Sequence, residues 1–87
     1  LLCVKPNGDF VIIELKKGRS SDAVVGQISR YIGWIKENLA GDKKVFGIVV
    51  THEFDKKLRY AILANDKLKV LYYKIHLKLI SEEEIQN

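Results

Sequence analysis

The stretch FVIIELKKGRSSDAVVGQISRY, Phe10 to Tyr31, decides the fold. Four apolar residues, Phe10 to Ile13, open a strand that runs on through Glu14, Leu15 and Lys16. Gly18 breaks it, and Ser20-Ser21-Asp22 offers helix N-cap residues with an acid for the first turn. From Ala23 to about Leu39 the apolar residues Val25, Ile28, Ile32, Ile35 and Leu39 recur at spacings of three and four. That period predicts a long helix with one core-facing stripe, and Gly41 ends it.

Working outward, Leu1 to Val4 reads as a short strand. Lys5-Pro6-Asn7-Gly8-Asp9 is turn chemistry, with proline fixing φ and asparagine and glycine tolerating positive φ, so the first two strands form a β-hairpin. On the other side, Val45 to Thr51 is an apolar run bounded by polar residues, the pattern of a buried strand parallel to its neighbour. Strand, long helix and strand make a βαβ crossover. Asp55 to about Leu63 predicts a shorter helix, Asn65-Asp66-Lys67 a turn, and Leu68 to Ile80 a long last strand. In that strand Leu71, Tyr73, Ile75, Leu77 and Leu79 alternate with Lys74, His76 and Lys78, as expected for a sheet edge guarded by lysines. Ser81 to Asn87 reads as an acidic tail or frayed helix start. The expected fold class is α/β, a mixed β-sheet flanked by helices.

Eighty-seven residues, 47% hydrophobic and 30% charged, make one soluble globular domain, residues 1–87, with a modest core. No apolar run reaches the ~20 residues needed to span a bilayer, so no membrane partner is expected. The single Cys3 cannot make an internal disulfide, which fits a reducing cytoplasm. His52 and His76 stand apart, so no Cys/His metal cluster is in view. A net charge of +4 permits a polyanionic partner. The chain begins at a leucine, in what reads as mid-strand, and we expect a segment to precede it.

The charged end of the second strand is where chemistry is expected. Side chains two apart share a strand face, so Glu14 and Lys16 project together, about 6.6–6.8 Å apart along the chain. In open α/β sheets ligands collect at the carboxyl ends of strands. A carboxylate there is a hard ligand for Mg²⁺, and a metal beside a lysine suits phosphodiester hydrolysis. One carboxylate is too few, so a second acid is needed. A plain ion pair reaching solvent is the alternative for this pair. On a helical wheel with Val25 at zero, the stripe centres near about 310°, while Gln27 falls near about 200° and Tyr31 near about 240°. Both sit on one shoulder with Trp34 beside them, and Gln27, in the helix's second turn, can face Glu14 and Lys16. Tyr31 and Trp34 read from the wheel alone as boundary packing.

Glu14-Leu15-Lys16 at a strand end, followed on the helix by Gln27-Ile28-Ser29-Arg30-Tyr31, resembles the PD-(D/E)XK nuclease superfamily and its RecB-type branch with the Q-x-x-x-Y motif. The likeness is greatest to the C-terminal nuclease domain of NucS-type endonucleases and covers most of residues 9–75. The resemblance implies a restriction-endonuclease-like core and Mg²⁺- or Mn²⁺-dependent cleavage of DNA, in repair or recombination. It makes Glu14 a metal ligand, Lys16 the catalytic lysine, and Gln27 and Tyr31 the helix residues that organise the site and contact DNA. The family's first acid, on the preceding strand, would fall at or before Leu1; Asp9 lies in the hairpin turn at the far end and is not that ligand. Activity of these residues alone is therefore in question.

Lys17, Arg19 and Arg30 are candidates to neutralise phosphates. Lys56, Lys57 and Arg59 read as a solvated helix face, and Gly26, Ser29 and Gly33 as a small-residue stripe packed against the sheet. His52 follows a buried strand, and His76 reads as exposed. A homodimer is the expected form if both strands are cut. The rival readings are a DNA-binding domain that has lost its first acid, a restriction- or homing-type nuclease, and a small interaction module.

Overall fold

The computed structural model describes residues 1–86. Its elements in chain order are β1 (Leu2–Val4), β2 (Phe10–Leu15), α1 (Ser21–Asn38), β3 (Val45–Thr51), α2 (Lys56–Leu63), β4 (Leu68–Tyr72) and α3 (Glu82–Gln86). The four strands form one mixed sheet in the order β1-β2-β3-β4. β1 and β2 are the expected hairpin, antiparallel with Leu2 opposite Ile12, and β2, β3 and β4 run parallel.

Local chemistry explains the boundaries. The hairpin turn closes through Gly8 N–H to the Lys5 carbonyl at 2.8 Å, with Gly8 at φ 93°. The Asp9 carboxylate accepts from the Lys44 backbone N–H, joining the turn to the entry of β3 and holding that carboxyl below the usual aspartate range. Ser20 caps α1, its hydroxyl accepting from Ala23 N–H, and Asp55 caps α2 by accepting from Lys57 N–H.

Both crossovers advance in the same direction across the sheet, so right-handedness puts α1 and α2 on one face. The core lies there: Val24, Ile28, Ile32 and Ile35 of α1 and Leu58 of α2 pack on Ile12, Val45, Val49 and Leu68. Residues of β3 alternate strictly between buried and half-buried, the buried set facing the helices. The opposite face is lined by half-buried Val11, Ile13, Phe46 and Ile48, and the ammonium groups of Lys5 and Lys67 lie 4.9 and 5.1 Å from the Phe46 ring centre.

Three expectations need correction. The last strand ends at Tyr72 instead of running to Ile80. Its partner β3 ends at Thr51, whose carbonyl takes the last cross-strand bond from Tyr73 N–H, and beyond it no strand offers a ladder. Ile75, Leu77 and Leu79 are accordingly exposed, and the radius of gyration, 17.0 Å, exceeds the ~12 Å of a compact domain of this length. Leu39 is half exposed at the helix C-cap, and Ala40 takes the buried place at that end. The small-residue stripe does not touch the sheet: a Cβ at Gly33 would meet nothing, and one at Gly26 only the Arg30 guanidinium. Asn87, the end of the expected acidic tail, lies outside the described residues.

The glycine that α1 does need is Gly47 of β3. A Cβ there would stand 2.7 Å from Ile28 Cδ1 and 2.8 Å from Leu68 Cδ2, two buried side chains that would have to shift. Gly47→Ala should therefore destabilise the fold by about 1–3 kcal/mol through overpacking, more than the ~0.4–1 kcal/mol gained by restricting the unfolded chain. Urea denaturation of the two proteins checks this; equal midpoints would mean that α1 shifts without cost.

Candidate active site

β2 carries Phe10, Ile12 and Glu14 toward the helices. The first two are covered by α1 and the hairpin, whereas Glu14 reaches the strand's carboxyl end, its side chain 18% exposed. The loop Lys16–Ser20 then folds back over it. Arg19 is the residue that organises this corner. Its guanidinium stands 3.5 Å from Glu14 Oε2, donates to the Leu15 carbonyl at 3.0 Å and donates to Gln27 Oε1. Glu14 and Gln27, thirteen positions apart by their numbers, thus meet through one arginine. Glu14 Oε1 accepts no side-chain hydrogen bond among the described residues, so part of its acceptor capacity stays open.

The other candidate residues divide into those brought to this corner and those beside it. Lys16 is half-buried, its backbone N–H continuing the ladder to the Val50 carbonyl, and its charge acts on Asp55. Lys17 is exposed on the loop and touches none of these groups. Tyr31 and Arg30 line a groove of about 600 Å³ beside Glu14, which is floored by Leu2 and Ile12 and walled by Trp34. Arg19 was read from the sequence as a phosphate-neutralising cation; the structure places its guanidinium against Glu14 and Gln27. His52 is engaged elsewhere, within 3.2 Å of the Tyr73 hydroxyl and 3.4 Å of Glu53.

Among the described residues no three His, Cys, Asp or Glu side chains come together as a metal-binding group. Glu14 brings one carboxylate, already shared with an arginine, and that alone does not make a Mg²⁺ site.

Over residues 1–80 the chain matches the family described as the endonuclease NucS C-terminal domain. The chain belongs to that family. No curated protein and no solved structure matches. The NucS likeness read from the sequence therefore stands, and with it a nuclease-related domain. No helix among the described residues is long and apolar enough to cross a membrane.

Two features of this NucS-type domain were not foreseen. Buried Ser21, at the start of α1, donates its hydroxyl to the carboxylate of Asp55, the cap of α2, joining two helix starts that are 34 residues apart in sequence. No local pattern signals such a pair. The second is the exposure of Tyr31 and Trp34, 46% and 56%, where boundary packing was expected.

The Asp55 carboxyl is held below its ordinary value of 3.8, chiefly by the Ser21 hydroxyl, then by Lys57 N–H and the charges of Lys16 and Lys57. A carboxyl depressed on folding contributes stability that is complete above its unfolded value and lost as pH falls through the lower folded value. Asp55→Asn keeps a capping oxygen but removes the titration. Urea midpoints should therefore fall less steeply for this variant than for the parent on acidification below about pH 4. Parallel curves would show that Asp55 titrates alike folded and unfolded.

Proposed function

We propose that this NucS-family chain is the core of a metal-dependent endonuclease that hydrolyses DNA phosphodiester bonds. The observation that supports it most is the meeting of Glu14, Arg19 and Gln27 at the carboxyl end of β2, with Lys16 just past the strand and close enough to act on Asp55. Glu14, Lys16 and Gln27 are residues of the RecB-type E-x-K and Q-x-x-x-Y pattern, and Arg19 is an addition to it.

Glu14 is proposed to hold Mg²⁺ or Mn²⁺ with a second carboxylate. Leu2 opposes Ile12 and the Leu1 terminal nitrogen donates to the Ile13 carbonyl at 3.0 Å. Continuing that antiparallel register, a residue preceding Leu1 in a longer chain would stand across from Glu14 and share its face. An acid there would complete the pair. The metal, when bound, polarises the phosphate and supplies a nucleophilic water. Lys16 places a positive charge where the phosphate oxygens gain negative charge, and Arg19 holds Glu14 and Gln27 in place. When DNA arrives, Arg19 can exchange its carboxylate contact for a phosphate oxygen, an anion it grips equally well. Lys17 and Arg30 flank the corner as phosphate contacts. The setting in repair or recombination of branched, mismatched or single-stranded DNA belongs to the same proposal.

One observation favours a second reading. A single carboxylate at the site also suits a DNA-binding domain of this fold that lacks its first acid.

Labelled single-stranded, duplex and branched DNA, with Mg²⁺ or EDTA, separates the two. For the longer chain we expect metal-dependent cutting, abolished by Glu14→Gln and slowed about 10²–10³-fold by Lys16→Ala. Tight DNA binding with no cutting would leave the binding domain.

A further inference from the structure

The sheet edge farthest from β1 and Leu1 carries a mismatch. β4 is last in the strand order and pairs with β3 alone among the described residues, so its outer side offers unpaired backbone N–H and C=O groups. The segment that follows, Tyr73 to Ile80, forms neither helix nor strand, yet it alternates apolar and polar residues as a strand does. Its Ile75, Leu77 and Leu79 are 77%, 85% and 87% exposed, and the described residues stretch 56 Å along their longest axis. The segment has no glycine, proline, asparagine or aspartate, so it lacks the turn that would fold it back onto the edge it leaves. An open edge and a strand-patterned arm that cannot turn onto it fit each other between two molecules.

We propose that the arm Tyr73–Ile80 of one copy pairs antiparallel with β4 of a second copy, and reciprocally, joining the two sheets about a two-fold axis. This goes beyond the nuclease reading and does not rest on it. A two-fold axis through an antiparallel pair sets one residue opposite its own counterpart, and side-chain chemistry selects which. With Lys74 on the axis, two lysines oppose each other; with His76 there, Lys74 opposes Lys78. Moving the axis to Tyr73 sets Lys78 against Leu68, and moving it to Leu77 sets Glu84 against Val70. With Ile75 on the axis, Leu71 meets Leu79, Tyr73 meets Leu77 and Val70 meets Ile80, and no like charges are opposed. That register brings Ile80 to a groove of about 250 Å³ lined by Val70, Phe54 and Leu63. It also sets the acidic turn Glu82–Glu84 beside Lys67 and Lys69. The lysines that guard this edge thus reject the neighbouring registers and admit this one.

Residues directly opposite in antiparallel strands stand about 4.5–5.5 Å apart at Cα, within reach of a disulfide, whereas residues four apart along a strand are separated by roughly 13 Å. Cysteine cross-linking in the full chain, with Cys3→Ser and any other cysteine likewise replaced, therefore reads the register. On mild oxidation Ile75→Cys should form a covalent dimer and Leu77→Cys should not, because each Leu77 faces Tyr73 of the second copy. Leu71→Cys mixed with Leu79→Cys should give the mixed dimer. All four side chains are exposed, so these changes leave the core intact. Equal cross-linking at positions 75 and 77 would mean chance collision and would overturn the proposal. No cross-linking at position 75 would overturn it as well, whether the chain is then monomeric, its arm covered by its own residues, or paired through another surface.

Discussion

The contact on which the rest depends is the seating of Ile28 in the space that Gly47 leaves open. Ile28 is fully buried, and burial of a side chain this size is worth about 1.5–3 kcal/mol. Its larger effect is geometric. With no Cβ at Gly47, Ile28 lies against the strand at a distance that a larger residue there would not allow. Gln27, the preceding residue, is thereby aimed at the carboxyl end of β2. Tyr31 and Trp34, further along, are held clear of the core on the hairpin side. The core contact sets the orientation of the site.

Stability alone does not account for the polar corner. An ion pair between groups as accessible as Arg19 and Glu14, 33% and 18% exposed, contributes on the order of 0–1 kcal/mol. Ser21 and Asp55 are a different case. Their bond joins the starts of α1 and α2, which stand at the ends of β2 and β3 nearest Glu14. Helix starts carry unpaired N–H groups and a positive dipole end, so an anion near them is favoured. Of the acids at that end, Glu14 and Asp55 are each already engaged by a donor, while Asp22 stands in the first turn of α1 and Glu53 lies against His52.

Much of this was legible in the sequence because its signals are local. The period of Ile28, Ile32 and Ile35, the turn at Asn7-Gly8, and the two-residue spacing of Glu14 and Lys16 each act within a few residues. Where a decision depends on distant partners, local pattern fails. Tyr73 to Ile80 alternates as a strand would, yet a strand forms only against a neighbour, and β3 has ended. Gly26 and Gly33 look like a packing stripe, whereas the glycine that admits α1 sits on the strand. Arg19 reads as a phosphate-neutralising loop cation, whereas the loop, with Gly18 at φ 69°, brings its guanidinium between Glu14 and Gln27.

Three departures from ordinary patterning adjoin one place. A core strand ends in a carboxylate and an amine. A helix leaves two aromatic side chains half in water, at the cost of exposed apolar area that burial against β1 would have removed. An arginine is held against a carboxylate with little return in stability. Each alone is an ordinary irregularity of a small domain. All three adjoin the carboxyl end of β2, where an α/β sheet brings no further strand to satisfy them and where ligands of such sheets bind. Exposed apolar side chains occur elsewhere too, from Phe54 and Leu63 to Leu77 and Leu79, so what sets this corner apart is a core strand that ends in charge. The DNA strand proposed as substrate would bring anionic phosphates to the cations of that corner.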